Sequence, residues 1–239
     1  TMVSSKRDAI IRAFEVYHNV LGEYPRIYAP HAMNRENLYW GHQRFTFPFF
    51  QLLYKIVSKE KHGYYKGHEN GSDYYWGDIA RKYLDYVRSF TYNTINLQKI
   101  SNKIVYHNPY KPYAKNFFFT CDAENVEEFN ALLNLRNQKI LAEQKGICII
   151  STHFGKGFMV KNGLNEQTKY LLSEMIKKNC WVAPVSVVLD YLKKNQTNNS
   201  MNYIELVILE LRWLLHFIKR RKVRQDYNRT ELPFLLSEH

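Results

Sequence analysis

The chain has 239 residues, of which 45% are hydrophobic and 15% aromatic, including 19 Tyr and 14 Phe. So many large apolar side chains exclude global disorder and suffice for one substantial core or two small domains. Lys and Arg number 34 against 22 Asp and Glu, and the formal charge of +12 favours contact with anionic partners without specifying a fold. The three cysteines show no CxxC spacing. We therefore expect no disulfide framework or structural zinc site, and a reducing compartment.

The N-terminal segment does not have the pattern of a signal peptide, because Arg12, Glu15 and His18 interrupt its apolar positions. No uninterrupted apolar run reaches the roughly 18 residues of a membrane span, and charged residues interrupt the best contender, 203–218. The sequence therefore predicts a cytoplasmic protein. Thr1 before Met2 indicates that Met2 is not the natural start.

Apolar spacing, Gly and Pro positions and turn residues divide the chain into alternating helices and strands. In the first half of the chain, the predicted elements are a helix at 10–21 ended by Gly22, a strand at 26–29, a helix at 49–57, a loop at 61–77, a helix at 78–90, and strands at 103–107 and 116–121. In the second half they are a helix at 123–145, a strand at 147–151, a helix at 165–179, a strand at 181–183 and a helix at 184–194. A last helix begins at 204 and ends in the basic run 219–224. This alternation predicts an α/β fold with parallel strands.

The segment 196–200 is the best linker candidate, because it contains only Gln, Thr, Asn and Ser. It divides the chain into an α/β domain at 1–194 and a C-terminal part at 195–239. That part consists of the linker and an amphipathic, basic helix. Asn202 and Glu205 have the spacing of a capping pair at the start of this helix.

Three residues able to perform acid–base chemistry directly follow predicted strands: His31, Asp122 and His153. In parallel α/β folds, functional side chains collect where strands end. A carboxylate beside an imidazole fixes its tautomer and makes it a better general acid. The pattern therefore indicates a catalytic role for His153 with Asp122. The alternatives are a structural role for either histidine and an N-cap role for Asp122.

The segment 66–78 is dense in polar and aromatic residues, including His68, Asp73 and Trp76. Aromatic rings that stack on sugar C–H faces, beside polar groups that bind hydroxyls, are typical of a carbohydrate-contacting surface. The alternative is a glycine-bracketed structural loop. His68, Glu69 and Asp73 match no strong metal-binding template.

A basic cluster at 219–224 ends the last predicted helix. Its members are Lys219, Arg220, Arg221, Lys222 and Arg224. A solvated helix end is one interpretation, since cations suit a helix C-terminus. Contact with nucleic acid or an anionic membrane surface is the other.

Several of these segments, namely 146–154, 163–165, 181–186 and 189–192, together resemble the closing portion of a polysaccharide deacetylase (NodB-like) catalytic domain. The resemblance implies a distorted (β/α) barrel that removes acetyl groups from acetylated sugars with a divalent metal such as zinc. It implies that His153 is the general acid and that Asp122 tunes it. Residues 24–31, ending in His31, resemble the strand that carries the family's Arg-x-Pro motif, and the whole resemblance covers about residues 5–194.

Two departures from the family pattern concern the catalytic machinery. Tyr28 stands where the Arg of the Arg-x-Pro motif belongs. The residues before this strand contain neither the Asp-Asp motif nor the paired-His motif, which supply the catalytic base and the metal ligands in the family. We therefore expect a partial barrel with unpaired strand edges, no cofactor in this chain, and a truncated, inactive relative of the deacetylases. The alternatives are a non-catalytic carbohydrate-binding or scaffold protein, and a binder of anionic polymers.

Overall fold

A curled, mostly parallel sheet forms the centre of the computed structural model, which describes residues 4–31, 33–58, 64–161 and 163–235, with side chains up to residue 221. Its strands are β1 (Ile27–Tyr28), β2 (Tyr86–Tyr92), β3 (Val105–Tyr106), β4 (Phe117–Asp122) and β5 (Ile150–Ser151). Strands β1, β2, β4 and β5 run parallel in that order. β3 pairs antiparallel with the first half of β4, on the edge where β5 pairs with its second half. The α/β prediction with a partial barrel is confirmed.

Helices surround this half-barrel. They are α1 (Arg7–Leu21), α2 (Pro48–Ser58), α3 (Gly77–Tyr83), α4 (Val126–Leu132), α5 (Leu135–Glu143), α6 (Glu166–Ile176), α7 (Val185–Lys194) and α8 (Tyr203–Leu235). A small hairpin of β6 (Met159–Val160) and β7 (Gly163–Leu164) precedes α6. None of the helices in the described parts of the chain combines the length and apolar character that a membrane crossing requires.

Two helix boundaries form as the sequence predicts. Gly22 adopts the left-handed conformation, with φ of 76°, and its N–H donates to the carbonyl of His18, which ends α1. At the start of α8, the Glu205 N–H donates to Asn202 Oδ1 at 3.0 Å. The Asn202 N–H donates to the Glu205 carboxylate at 2.9 Å in return. The predicted capping pair is therefore confirmed.

The helix predicted over 78–90 is wrong in its second half. Helix α3 ends at Tyr83, and residues 86–92 form the second strand of the parallel sheet. Tyr86, Val87 and Phe90 have the spacing of one helical face, but in the structure they lie in this strand and are almost fully buried. Aromatic and β-branched residues suit such a strand, and here the tertiary environment outweighs a chance helical spacing.

Two further elements differ from the prediction. The helix expected at 123–145 is broken, because Asn134 caps a new helix by accepting a hydrogen bond from the Asn137 N–H at 2.9 Å. The strand expected at 181–183 forms no pairing, and Trp181 is 58% exposed. Its apolar run therefore does not mark a buried strand.

Helix α8 packs across β2 and shares the sheet's hydrophobic core. The Trp213 indole N–H donates to the carbonyl of Thr91, and the Tyr92 hydroxyl donates to the carbonyl of Leu209, both at 3.1 Å. Phe90 lies against Trp213, with ring centroids 5.3 Å apart. This packing holds the segment of α8 around Arg220 beside Asp122, at the carboxyl end of β4.

Candidate functional site

The loops after β1 and β5 bring two histidines together at the end of the sheet where its parallel strands terminate. We call this end the carboxyl edge, and its residues are Pro30, His31, Asp122, Ser151 and His153. Asp122 is the last residue of β4 and pairs in register with Ser151. The rings of His31 and His153 have centroids 5.6 Å apart and meet edge to face at 69°. Both side chains are exposed. Residues separated by more than a hundred positions thus form one solvent-accessible pair.

A largely buried arginine, Arg88 on β2, connects the two segments that carry these histidines. Its Nη2 donates to the carbonyl of Pro30 at 2.6 Å, and its Nη1 donates to Ser151 Oγ. Burial and the neighbouring charge of Arg44 lower the pKa of this guanidinium to about 10. Sequence reasoning missed Arg88 because it placed residue 88 on a helix. A single charged residue within a strand rich in aromatic side chains is the signal that would have identified it.

Asp122 forms an ion pair with α8. One of its carboxylate oxygens binds Arg220 Nη1, and Arg220 Nη2 also lies 2.9 Å from the carboxylate of Glu128. No hydrogen bond between Asp122 and His153 occurs in the described part of the chain. The N-cap alternative for Asp122 is wrong, because Asn125 caps α4 by accepting from the Glu128 N–H.

A cavity of about 600 Å³ lies beside Asp122. Amide, hydroxyl and charged side chains line it together with three apolar ones: Asn93, Thr94, Ile95, Asp122, Glu128, Ala131, Leu132, Asn137 and Arg220. Its volume is in the range of small-molecule sites, and donors, acceptors and apolar patches are all present. It lies where β2 and β4 end, the usual position of ligands in parallel sheets.

The three residues singled out in the loop 66–78 make internal contacts. Trp76 is 2% exposed, and its indole N–H donates to a backbone carbonyl 2.6 Å away. His68 accepts a hydrogen bond from the Tyr39 N–H, and burial lowers the pKa of its imidazole to about 4. Asp73 is exposed and pairs with Lys6 at 3.0 Å. The ring of Trp76 therefore presents no open face to a sugar.

The divalent metal that the deacetylase resemblance implies finds no ligand set in the described residues. No group of three or more His, Cys, Asp or Glu side chains there could hold an ion. Among the described residues, His31 and His153 belong to no group of three potential ligands, whereas metal sites in proteins generally use three or four protein ligands. The residues present do not fit the group.

The basic cluster 219–224 is only partly described. Arg220 forms ion pairs with Asp122 and Glu128 of its own chain, so its charge is neutralised within the protein. The side chains of Lys222 and Arg224 lie outside the described residues. Contact of this cluster with nucleic acid or a membrane surface stays a prediction.

No protein-family model, curated protein or solved structure matches this chain. The similarity to polysaccharide deacetylases therefore rests on the sequence segments quoted above. What the structure adds is the half-barrel and the positions of the site residues within it.

Proposed function

We propose that this chain carries the general-acid side of a site related to the carbohydrate deacetylases, with His153 as the proton donor. The supporting observation is the pair of exposed imidazoles at the carboxyl edge. His153 lies two residues after the end of β5, and His31 packs against its ring at 5.6 Å. Two titratable rings held at the end of parallel strands are suited to acid–base work on a bound molecule.

In this proposal, protonated His153 donates its proton to the sugar nitrogen or oxygen that leaves when an acetyl group is removed. The edge-to-face contact with His31 restricts the orientation of the His153 ring, and Arg88 ties both supporting segments to β2. The cavity beside Asp122 has space and polar groups for a sugar ring, but neither histidine lines it. In this proposal an oligosaccharide extends from the cavity to the carboxyl edge, where His31 contacts the next sugar.

A general acid alone contributes about 10²–10⁴ to a rate, and the described residues hold no set of three or more metal ligands. We therefore expect the chain to bind acetylated sugars and to release no acetate by itself. Hydrolysis requires water activation, which the family obtains from motifs that this sequence lacks.

The test combines binding and turnover. Oligomers of N-acetylglucosamine and an O-acetylated xylan oligosaccharide are titrated into protein whose imidazole C–H signals are followed by NMR, and acetate release is measured with and without added zinc or cobalt. We expect the His31 and His153 signals to shift together and His153→Ala to weaken binding, whereas the control His18→Ala, on α1, leaves it unchanged. Absence of binding to both glycans overturns the proposal. Metal-dependent acetate release that His153→Ala abolishes shows instead a complete enzyme.

A further inference from the structure

Helix α8 is apolar on two opposite faces. Leu206, Leu209 and Trp213 face the core and are buried. The opposite face carries the outer stripe, which consists of Ile204, Ile208, Leu211, Leu215 and Ile218 and is 40–67% exposed. A contiguous apolar patch that is exposed to solvent commonly marks an interaction surface. The outer stripe is therefore a surface that needs a partner.

The spacing of the outer stripe identifies the kind of partner. Its members are separated by four, three, four and three residues, which is the repeat of 3.5 that places side chains along the seam of a left-handed coiled coil. A core-facing helix needs only a broad stripe with a period of 3.6. This repeat points to another helix that packs lengthwise against α8.

Helix α2, next to α8, presents further exposed apolar residues. It runs alongside α8 in the same direction, since Phe47 lies against Tyr203 and Tyr54 against Phe217, with ring centroids 4.6 and 5.0 Å apart. Phe49, Leu52 and Ile56 of α2 are 57–66% exposed. At roughly 70–100 Å² for each half-exposed side chain, the eight apolar residues offer about 600–800 Å². A stable interface buries about 800 Å² per partner.

We propose that the outer stripe is a dimer interface, in which α8 pairs antiparallel with α8 of a second copy. A two-fold axis near residue 213 puts Ile208 opposite Ile218 and Leu211 opposite Leu215, so four consecutive layers join stripe residues and Ile204 lies beyond them. A self-complementary stripe of this kind meets the requirement of a two-fold interface.

The charges beside the stripe select the antiparallel orientation. Glu205 and Lys219 each follow a stripe residue on the same flank, at opposite ends of the helix. The two-fold axis brings Glu205 of each copy opposite Lys219 of the other, while Glu205 keeps its contact with Lys103. Arg212 lies near the axis, but its guanidinium donates to the carbonyl of Ile100 in its own chain. A parallel pair would leave both end charges without a partner across the interface.

Analytical ultracentrifugation of the full chain between about 1 and 100 µM tests the interface. We expect a dimer that Leu215→Lys weakens by more than about 100-fold, because the substitution removes two apolar contacts per dimer. Val187→Lys is the matched control, since Val187 is an exposed apolar residue on α7, and it should leave the dimer intact. Circular dichroism confirms that both variants fold, and Ile208→Lys repeats the test at a second layer. A monomer throughout this range, or a dimer that survives both stripe substitutions, overturns the proposal.

Disulfide trapping tests the orientation. In a Cys180→Ser background, Ile208→Cys and Ile218→Cys proteins are mixed and oxidised. The antiparallel arrangement predicts a covalent dimer between the two variants and little within either one. Efficient linking of Ile208→Cys to itself would show a parallel pair and refute the arrangement.

Discussion

Trp76 provides the sharpest test of whether the loop 66–78 is a structural element or a sugar-binding surface. A stacking residue for a sugar would be exposed, and its removal would cost binding but little stability. In the structure the ring is 2% exposed and meets Tyr28 edge to face at 4.9 Å. Its N–H donates to the carbonyl of Glu36. We therefore expect Trp76→Ala to destabilise the fold.

The expected loss follows from three features. Removing a buried Trp ring costs about 3–5 kcal/mol, including the cavity that it leaves. The site is tightly packed, since a Cβ at Gly67 would lie 2.9 Å from the Trp76 Nε1 atom, and the neighbouring backbone cannot collapse freely into the space. The carbonyl of Glu36 also loses its donor, at about 1–3 kcal/mol for a buried polar group. Because these terms overlap, we expect about 4–5 kcal/mol, a large share of the stability of a typical domain.

Urea unfolding followed by circular dichroism measures this loss. Trp181→Ala is the control, because Trp181 is 58% exposed and its ring packs on Tyr191 alone among the described aromatic residues, so we expect less than about 1 kcal/mol. A Trp76→Ala protein within 1 kcal/mol of wild type would refute the reasoning from burial. If the loss is as large as expected, weaker glycan binding by Trp76→Ala reports unfolding and says nothing about sugar contact.

Three further predictions concern charges and thiols. Asp122→Asn removes one carboxylate from Arg220 and should lower the free energy of unfolding by about 1–3 kcal/mol, measured by urea denaturation. The ion pair with Arg26 holds the pKa of Asp190 below its usual value, so its stabilising effect is present above about pH 4 and lost as the pH falls through the folded-state pKa. Asp190→Asn should therefore unfold at lower urea than wild type at pH 7 and at the same urea near pH 2. Cys121 is fully buried, and we expect its thiol to react with Ellman's reagent only after unfolding.

The sequence located elements whose signals are local. Gly22 ends α1 and the Asn202–Glu205 pair begins α8, because a left-handed residue and reciprocal side-chain caps depend on adjacent positions alone. Strand β4 lies within one residue of its predicted position, since its apolar run is a local signal. The failures at 78–90 and 181–183 have a different origin. In both segments the apolar residues are identified correctly, but their secondary structure and burial depend on which neighbouring elements cover each side. Only the tertiary fold determines those neighbours.

The candidate site divides in the same way. Each of His31, Asp122 and His153 could be placed at a strand end from its own neighbours in the sequence. The pairing of His31 with His153 could not, since it depends on β2 and β4 lying between β1 and β5 in the sheet. The ion-pair partner of Asp122 could not be predicted from the sequence either. Arg220 lies on a helix nearly a hundred residues later in the chain, and no local sequence signal indicates which carboxylate it pairs with.

Arg88 shows why the misassigned strand matters for function. As part of a helix, residue 88 would be one more surface cation in a basic protein. As the third residue of β2, it sends a guanidinium to the carboxyl edge, where it bonds Pro30 and Ser151. Burying a cation with no carboxylate partner among the described residues costs free energy. The hydrogen bonds that offset this cost join the two segments on which the histidines sit. The same contacts that stabilise a buried charge therefore fix the geometry of the proposed acid–base pair.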